Sequence, residues 1–171
     1  TFTQLERLGL GGSNITDLSL LAGMTKLKVL SLSGSQVSDI TPLAGLTTLE
    51  ELYLDGTQVT DLSPLAGLTN LRVLGLKHMG VNDITPLAEL TNLVELSLFN
   101  TPVADIMPLA GLTGLRKLIL DSTQVSDLAP IAGLTGLETL EIDNTAISDL
   151  GPISGMLRMR WLDLKETAVS D

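Results

Sequence analysis

Eight aspartates, Asp17, Asp39, Asp61, Asp83, Asp105, Asp127, Asp149 and Asp171, recur at 22-residue spacing, and a ladder of carboxylates is the first feature of this sequence that could do chemistry. Stacked one coil above the next, they could hold cations. A hard cation, however, draws several oxygen ligands from one loop, and no loop here carries the alternating acids that would converge on one ion. The same column stands three residues before a proline wherever that proline occurs, as Asp61 precedes Pro64. That placement suits an N-cap, in which the carboxylate accepts hydrogen bonds from otherwise unpaired backbone N–H groups of the following turn. The charge follows from it too. The chain has 20 acids against 10 bases, a net charge of −10, and without the eight column aspartates twelve acids would face ten bases. Most of the excess negative charge therefore belongs to the scaffold.

Catalytic constellations are absent from the sequence. The single histidine, His78, is flanked by Lys77 and Met79, which supply neither a nucleophile nor an orienting acid for a Ser-His-Asp site. With no cysteine and no second histidine, no zinc-type ligand set can be assembled, and disulfides are excluded. Gly111 to Lys117 is the nearest approach to a phosphate loop but lacks the adjacent Gly-Lys-Ser/Thr. No cofactor is expected, and the segment reads as non-catalytic. The net negative charge opposes a nucleic-acid partner. No apolar run reaches the ~18 residues of a spanning helix, so membrane insertion is not expected. Asn14-Ile15-Thr16 matches a glycosylation acceptor, a tripeptide common by chance.

The elements that would position these residues follow from the repeat. Leu49 to Asn70 reads LEELYLDGTQVTDLSPLAGLTN, and the same frame starts at Leu5, Leu27, Leu71, Leu93, Leu115, Leu137 and Met159 with no insertion. Apolar columns at the first, fourth and sixth positions, such as Leu71, Leu74 and Leu76, end in strand periodicity. Val59, Leu62, Leu65, Ala66 and Leu68 continue the apolar pattern into a turn or short helix. Pro42, Pro64, Pro86, Pro108, Pro130 and Pro152 fit the first turn of that segment and would not fit a central strand. A hydroxyl column, Ser13, Ser35, Thr57, Thr101, Thr123, Thr145 and Thr167, can bond turn backbone that would otherwise be buried unpaired. Met79 interrupts it, which predicts a locally irregular fourth repeat.

One coil cannot bury its own apolar face, but stacked coils share a continuous core. The expected fold is an α/β solenoid, with a parallel sheet on the concave face and turns or short 3-10 or α segments on the convex face. At ~4.8 Å per strand, eight strands span about 38 Å. The frame LxxLxLxx(S/T)x(V/I)xD(L/I)xPLAGLT resembles the leucine-rich repeat of bacterial internalin-like proteins, over essentially the whole chain. Ser or Thr replaces the asparagine usual in that family. The resemblance implies a horseshoe that binds a protein on its concave strand face, as in surface or secreted proteins, and favours a secreted or cell-surface setting. An intracellular substrate-recognition or scaffold domain of a larger effector is the alternative, and a mere spacer a third.

Residues 1–171 read as one array of about eight repeats with neither end capped. Asp171 falls in the middle of the eighth repeat, leaving Leu162, Leu164 and Val169 without a following coil. Uncapped ends predict a truncated array or an end-on contact with a further domain or a second copy.

The concave face can be read off the outward strand positions. Among them Tyr53, Val73, Lys77, Phe99, Ile119, Glu141, Trp161 and Asp163, with His78 one step beyond, are the expected partner contacts. Three of the four aromatics lie there, although the scaffold does not require them, and aromatic residues are the usual anchors of an interface. Such a face offers on the order of 600 Å², near the ~800 Å² one partner contributes to a standard interface. Its charge is graded, with Lys28, Arg72, Lys77, Arg116 and Lys117 mostly in the middle repeats and Glu138, Glu141, Asp143, Asp163 and Glu166 toward the C-terminal end.

Overall fold

The computed structural model describes residues 2–170. In it the leucine columns close into coils. Each coil contributes one three-residue strand: β1 (Arg7–Gly9), β2 (Val29–Ser31), β3 (Glu51–Tyr53), β4 (Val73–Gly75), β5 (Glu95–Ser97), β6 (Lys117–Ile119), β7 (Thr139–Glu141) and β8 (Trp161–Asp163). They form one parallel sheet in chain order. The register never slips, so Leu30, Leu52, Leu74, Leu96, Leu118 and Leu140 stack through the core. On the opposite side single 3-10 turns, from Ser19–Leu21 to Gly151–Ile153, form a second stack. Elements touch only their counterparts in adjacent coils. The solenoid expectation holds, with 3-10 rather than α geometry on the convex side.

The core is almost wholly aliphatic, as a repeat of this period demands. In the third coil Leu49, Leu52, Leu54, Val59, Leu62, Leu65 and Leu68 are all buried. Ala66 is exposed, contrary to the sequence expectation. It is the C-cap of a turn only three residues long, which ends before the chain can swing position 66 back to the core.

The polar columns do structural work. Seven described aspartates each accept a hydrogen bond from the backbone N–H two residues on, as Asp61 does from Ser63 at 2.8 Å. The eighth, Asp171, lies outside the described residues. Each Asp sits one residue earlier than an N-cap. Leu62, which immediately precedes the 3-10 turn, has an apolar side chain and makes no cap bond, and Asp61 reaches over it to the first N–H of the turn. Asp39 and Asp83 fall below the ordinary carboxylate range, held first by a threonine hydroxyl and then by that backbone N–H. In the hydroxyl column Ser13, Thr57, Thr101, Thr123, Thr145 and Thr167 donate to the carbonyl three residues back, at 2.6–2.8 Å.

The fourth repeat is not irregular. Met79 is buried at 3 % exposure, β4 keeps its register with both neighbours, and the His78 N–H donates to Phe99 O at 2.9 Å. What fixes the turn is a column absent from the sequence reading. Gly12, Gly34, Gly56, His78, Asn100, Ser122, Asn144 and Glu166 all have φ between 53° and 70°. From Gly12 to Asn144, the N–H of each donates across to the next coil. With the turn held that way, the flexible thioether of Met79 replaces a hydroxyl without distortion.

Candidate partner-binding face

The outward positions of the eight three-residue strands form two rows, and a third row, with Asp55, Lys77 and Phe99, follows in the turns just beyond the strand ends. In the row between the two inner leucines, Tyr53, Gly75, Ser97, Ile119, Glu141 and Asp163 are in register. The adjacent row runs Val73, Glu95, Lys117, Thr139 and Trp161. Tyr53, Val73, Lys77 and Ile119 come together around one depression of about 110 Å³. His78 and Phe99 meet edge to face, with ring centroids 4.8 Å apart and planes at 87°. The Asn100 side-chain amide lies within hydrogen-bond distance of His78 Nδ1, at 2.9 Å. Glu141, Trp161 and Asp163 lie further along the sheet and do not line that depression. Trp161 is 57 % exposed.

Tyr53 is partly buried, and its hydroxyl donates to Glu51 Oε2 at 3.0 Å. Burial first and the Glu51 carboxylate second hold the phenol above its ordinary range. It stays neutral at physiological pH, with an apolar body and a polar tip suited to an interface.

The charge gradient is less simple than the sequence suggests. Lys28 pairs with Glu6 at 3.1 Å, Glu138 with Arg160 at 3.6 Å, and Asp163 with Lys165 at 2.8 Å. Lys28 and Arg72 do not line the central depression but a separate edge groove of about 760 Å³, with Glu50, Asn70 and Asn92. Sequence reasoning missed this groove. Its signal is the polar pair bracketing the first leucine of a repeat, as Asn70 and Arg72 bracket Leu71. Its amide and hydroxyl ladder is spent on the scaffold: Asn70 and Asn92 donate to Thr47 O and Thr69 O, and Thr48 to Leu27 O, tying coil to coil. Where glycines replace that ladder, Arg116 folds back, donates to Leu115 O at 3.1 Å and occupies the space beside Gly136.

At the C-terminal end of the face Asp121, Glu141, Asp143 and Asp163 gather around one another. Desolvation first, partly opposed by the Asp143 N–H and reinforced by the three neighbouring carboxylates, raises Asp121 to about 6. A raised carboxyl favours the fold fully below the ordinary value of 3.8, and that contribution is lost as pH rises through about 6. Asp17, Asp39, Asp83 and Asp163 are shifted the other way and act only near and below the ordinary carboxylate range, while Lys165 stays charged throughout. Stability should therefore fall between pH 5 and pH 7.5, by roughly 1 kcal/mol once solvent screening is allowed for. Asp121→Asn keeps an acceptor for the Asp143 N–H and should flatten that dependence, as urea unfolding at the two pH values would show. A wild-type slope of the opposite sign would refute it.

Among the described residues no group of acids and histidines is arranged to hold a metal ion, and no helix is long and apolar enough to cross a membrane.

Comparison with known proteins places this geometry. The family model described as Leucine Rich repeats (2 copies) matches residues 3–45, 47–89 and 113–155. A crystal structure of internalin C2 from Listeria monocytogenes is 36 % identical over 97 % of the chain, with a TM-score of 0.95. An internalin, inlF, from the same organism is 30 % identical over 98 % of the chain, with a TM-score of 0.73. A leucine-rich repeat protein of Leptospira interrogans is 26 % identical over 96 % of the chain, with a TM-score of 0.91. The chain spans 74 %, 62 % and 44 % of those three proteins. No curated protein matches at a significant level.

Proposed function

Since the chain belongs to the leucine-rich repeat family and is internalin-like in its repeats, we propose that it is a non-catalytic recognition module that grips a protein ligand on the outward face of its sheet. The observation that carries this reading is the placement of Tyr53 and Phe99. Neither side chain enters the aliphatic core and both are only partly buried; Tyr53 stands on β3 in the strand face, and Phe99 in the turn that follows β5. Aromatic rings with few torsions to freeze give contact area at low entropic cost, which is why such residues anchor interfaces. The relatives' name favours a bacterial surface or secreted setting, in which the ligand would be a protein met outside the producing cell.

The test is affinity capture from cell-surface and cytosolic extracts with wild type, Tyr53→Ala/Phe99→Ala, and Met107→Ala as a convex-face control. Loss of two central anchors should weaken retention of a specific protein at least about tenfold, with the control unchanged and circular dichroism confirming the fold of all three. The extract supplying that protein reports the compartment. Equal retention by the double variant would rule out the aromatic anchors, and a convex-face dependence would move the site to the other side.

A further inference from the structure

Two small residues stand between two large ones in the middle row of the strand face. Gly75 and Ser97 are flanked by Tyr53 on one side and Ile119 on the other, in register across β3 to β6. The gap is two strands wide and forms the depression of about 110 Å³, several times the room one water molecule needs. Its apolar wall is Val73 and Ile119.

Two polar groups define its floor. Ser97 is 8 % exposed, yet its hydroxyl has no hydrogen-bond partner among the described residues. Buried hydroxyls are ordinarily paired, and one left over marks a place where something else completes it. The second group is the Asp55 carboxylate. Its Oδ1 accepts the Lys77 N–H at 2.8 Å and its Oδ2 the Ser33 hydroxyl at 3.2 Å. So held, it lies 2.9 Å from where a Cβ on Gly75 would stand. Gly75 is therefore required by the position of Asp55, and with it the gap.

Charge at the rim is balanced. Lys77 and Lys117 face Asp55 and Glu95 around the depression, with no ion pair among them. An entering carboxylate would meet Asp55, and an ammonium group would meet the two lysines. Neither gains net attraction, and both lose hydration. An uncharged group loses less, provided that it donates to Asp55, which can only accept, and accepts from Ser97, whose buried hydroxyl can donate once it turns toward the gap. A carboxamide does both through separate atoms, and its methylene stem suits Val73 and Ile119.

Resting on the reading of this face as a protein-binding surface, we propose that the depression between Tyr53 and Ile119 is a specificity pocket that receives one carboxamide side chain, glutamine or asparagine, of the protein partner.

The isolated side chain serves as the probe. N-acetyl-glutamine methylamide, titrated into the 15N-labelled chain, should shift the amide signals of Gly75, Lys77 and Ser97 saturably, with a Kd on the order of millimolar. The corresponding glutamate and lysine derivatives should bind at least about fivefold more weakly, since each brings an unpaired charge. Ser97→Ile fills the gap with the residue that β6 already carries in that row, so the fold accommodates it. It should abolish the shifts, and Ser97→Ala should weaken them severalfold. Absence of shifts, equal binding of the three probes, or binding unaffected by Ser97→Ile would each overturn the proposal. A partner whose capture depends on Tyr53 and Phe99 but is indifferent to Ser97→Ile would also overturn it, while leaving the broader reading intact. Saturable probe binding, with capture indifferent to the aromatic pair, would instead count against those aromatics as anchors.

Discussion

Leu96→Ala is expected to cost about 3–5 kcal/mol of unfolding free energy, above the low end of the range for truncating a buried leucine. Leu96 is 1 % exposed at the centre of β5, stacked in register between Leu74 and Leu118. Both neighbours belong to strands already fixed by backbone pairing on their far sides, so neither can collapse into the space left behind. The cavity term is then added nearly whole to the lost transfer energy. The equivalent Leu162→Ala, where the side chain is 37 % exposed, should cost less than about 1.5 kcal/mol. Urea unfolding followed by circular dichroism measures both. Because coils touch only adjacent coils, Leu96→Ala should also broaden the transition, as the two halves of the array unfold less cooperatively. Equal costs at the two positions would show that burial depth along the stack does not set stability.

The second large effect lies in the backbone. Gly34→Val should destabilise by about 2–3 kcal/mol, because a β-branched residue is forced into the left-handed region that Gly34 occupies at φ 70°. Steric crowding is not the cause, since a Cβ there meets nothing closer than Gly12 N at 3.7 Å. Conformation alone carries the prediction. The same column makes a prediction of opposite sign: Ser122→Gly, at φ 54°, should stabilise by up to about 1 kcal/mol, the relief of strain being partly offset by the greater freedom of glycine in the unfolded chain. Asn100→Gly should be close to neutral, because asparagine tolerates this region. Thermal unfolding of the three variants would check the order. A neutral Gly34→Val would mean that the turn can relax to negative φ.

The strands, the core and the Asp ladder were legible because each depends on side-chain type at a fixed period. Leu71, Leu74 and Leu76 announce a strand, and Pro64 three residues after Asp61 announces the turn that follows. The left-handed column was not legible, because glycine, histidine, asparagine, serine and glutamate share no chemistry. Backbone geometry and cross-coil hydrogen bonding select that conformation, and the sequence reports it only through Gly12, Gly34 and Gly56. Ala66 misled because alanine is compatible with either side of a turn. On the strand face the outward rows follow from strand alternation, and Tyr53, Val73 and Ile119 line one depression. What Asp55 and Ser97 do there could not be read. Their roles come from contacts made 22 residues away, Asp55 to Lys77 and Ser33, and from a hydroxyl that finds no partner.

An unbroken 22-residue register also means that every coil enters and leaves the stack at equivalent points. Recombination that deletes or duplicates one whole unit keeps the leucine columns in register across each junction. Removing β4 and its turn would bring Tyr53 beside Ser97, and doubling it would widen the gap by one strand. Variation of the recognition surface can therefore proceed by shuffling intact coils as well as by point substitution, and the aliphatic interior need not be solved anew each time.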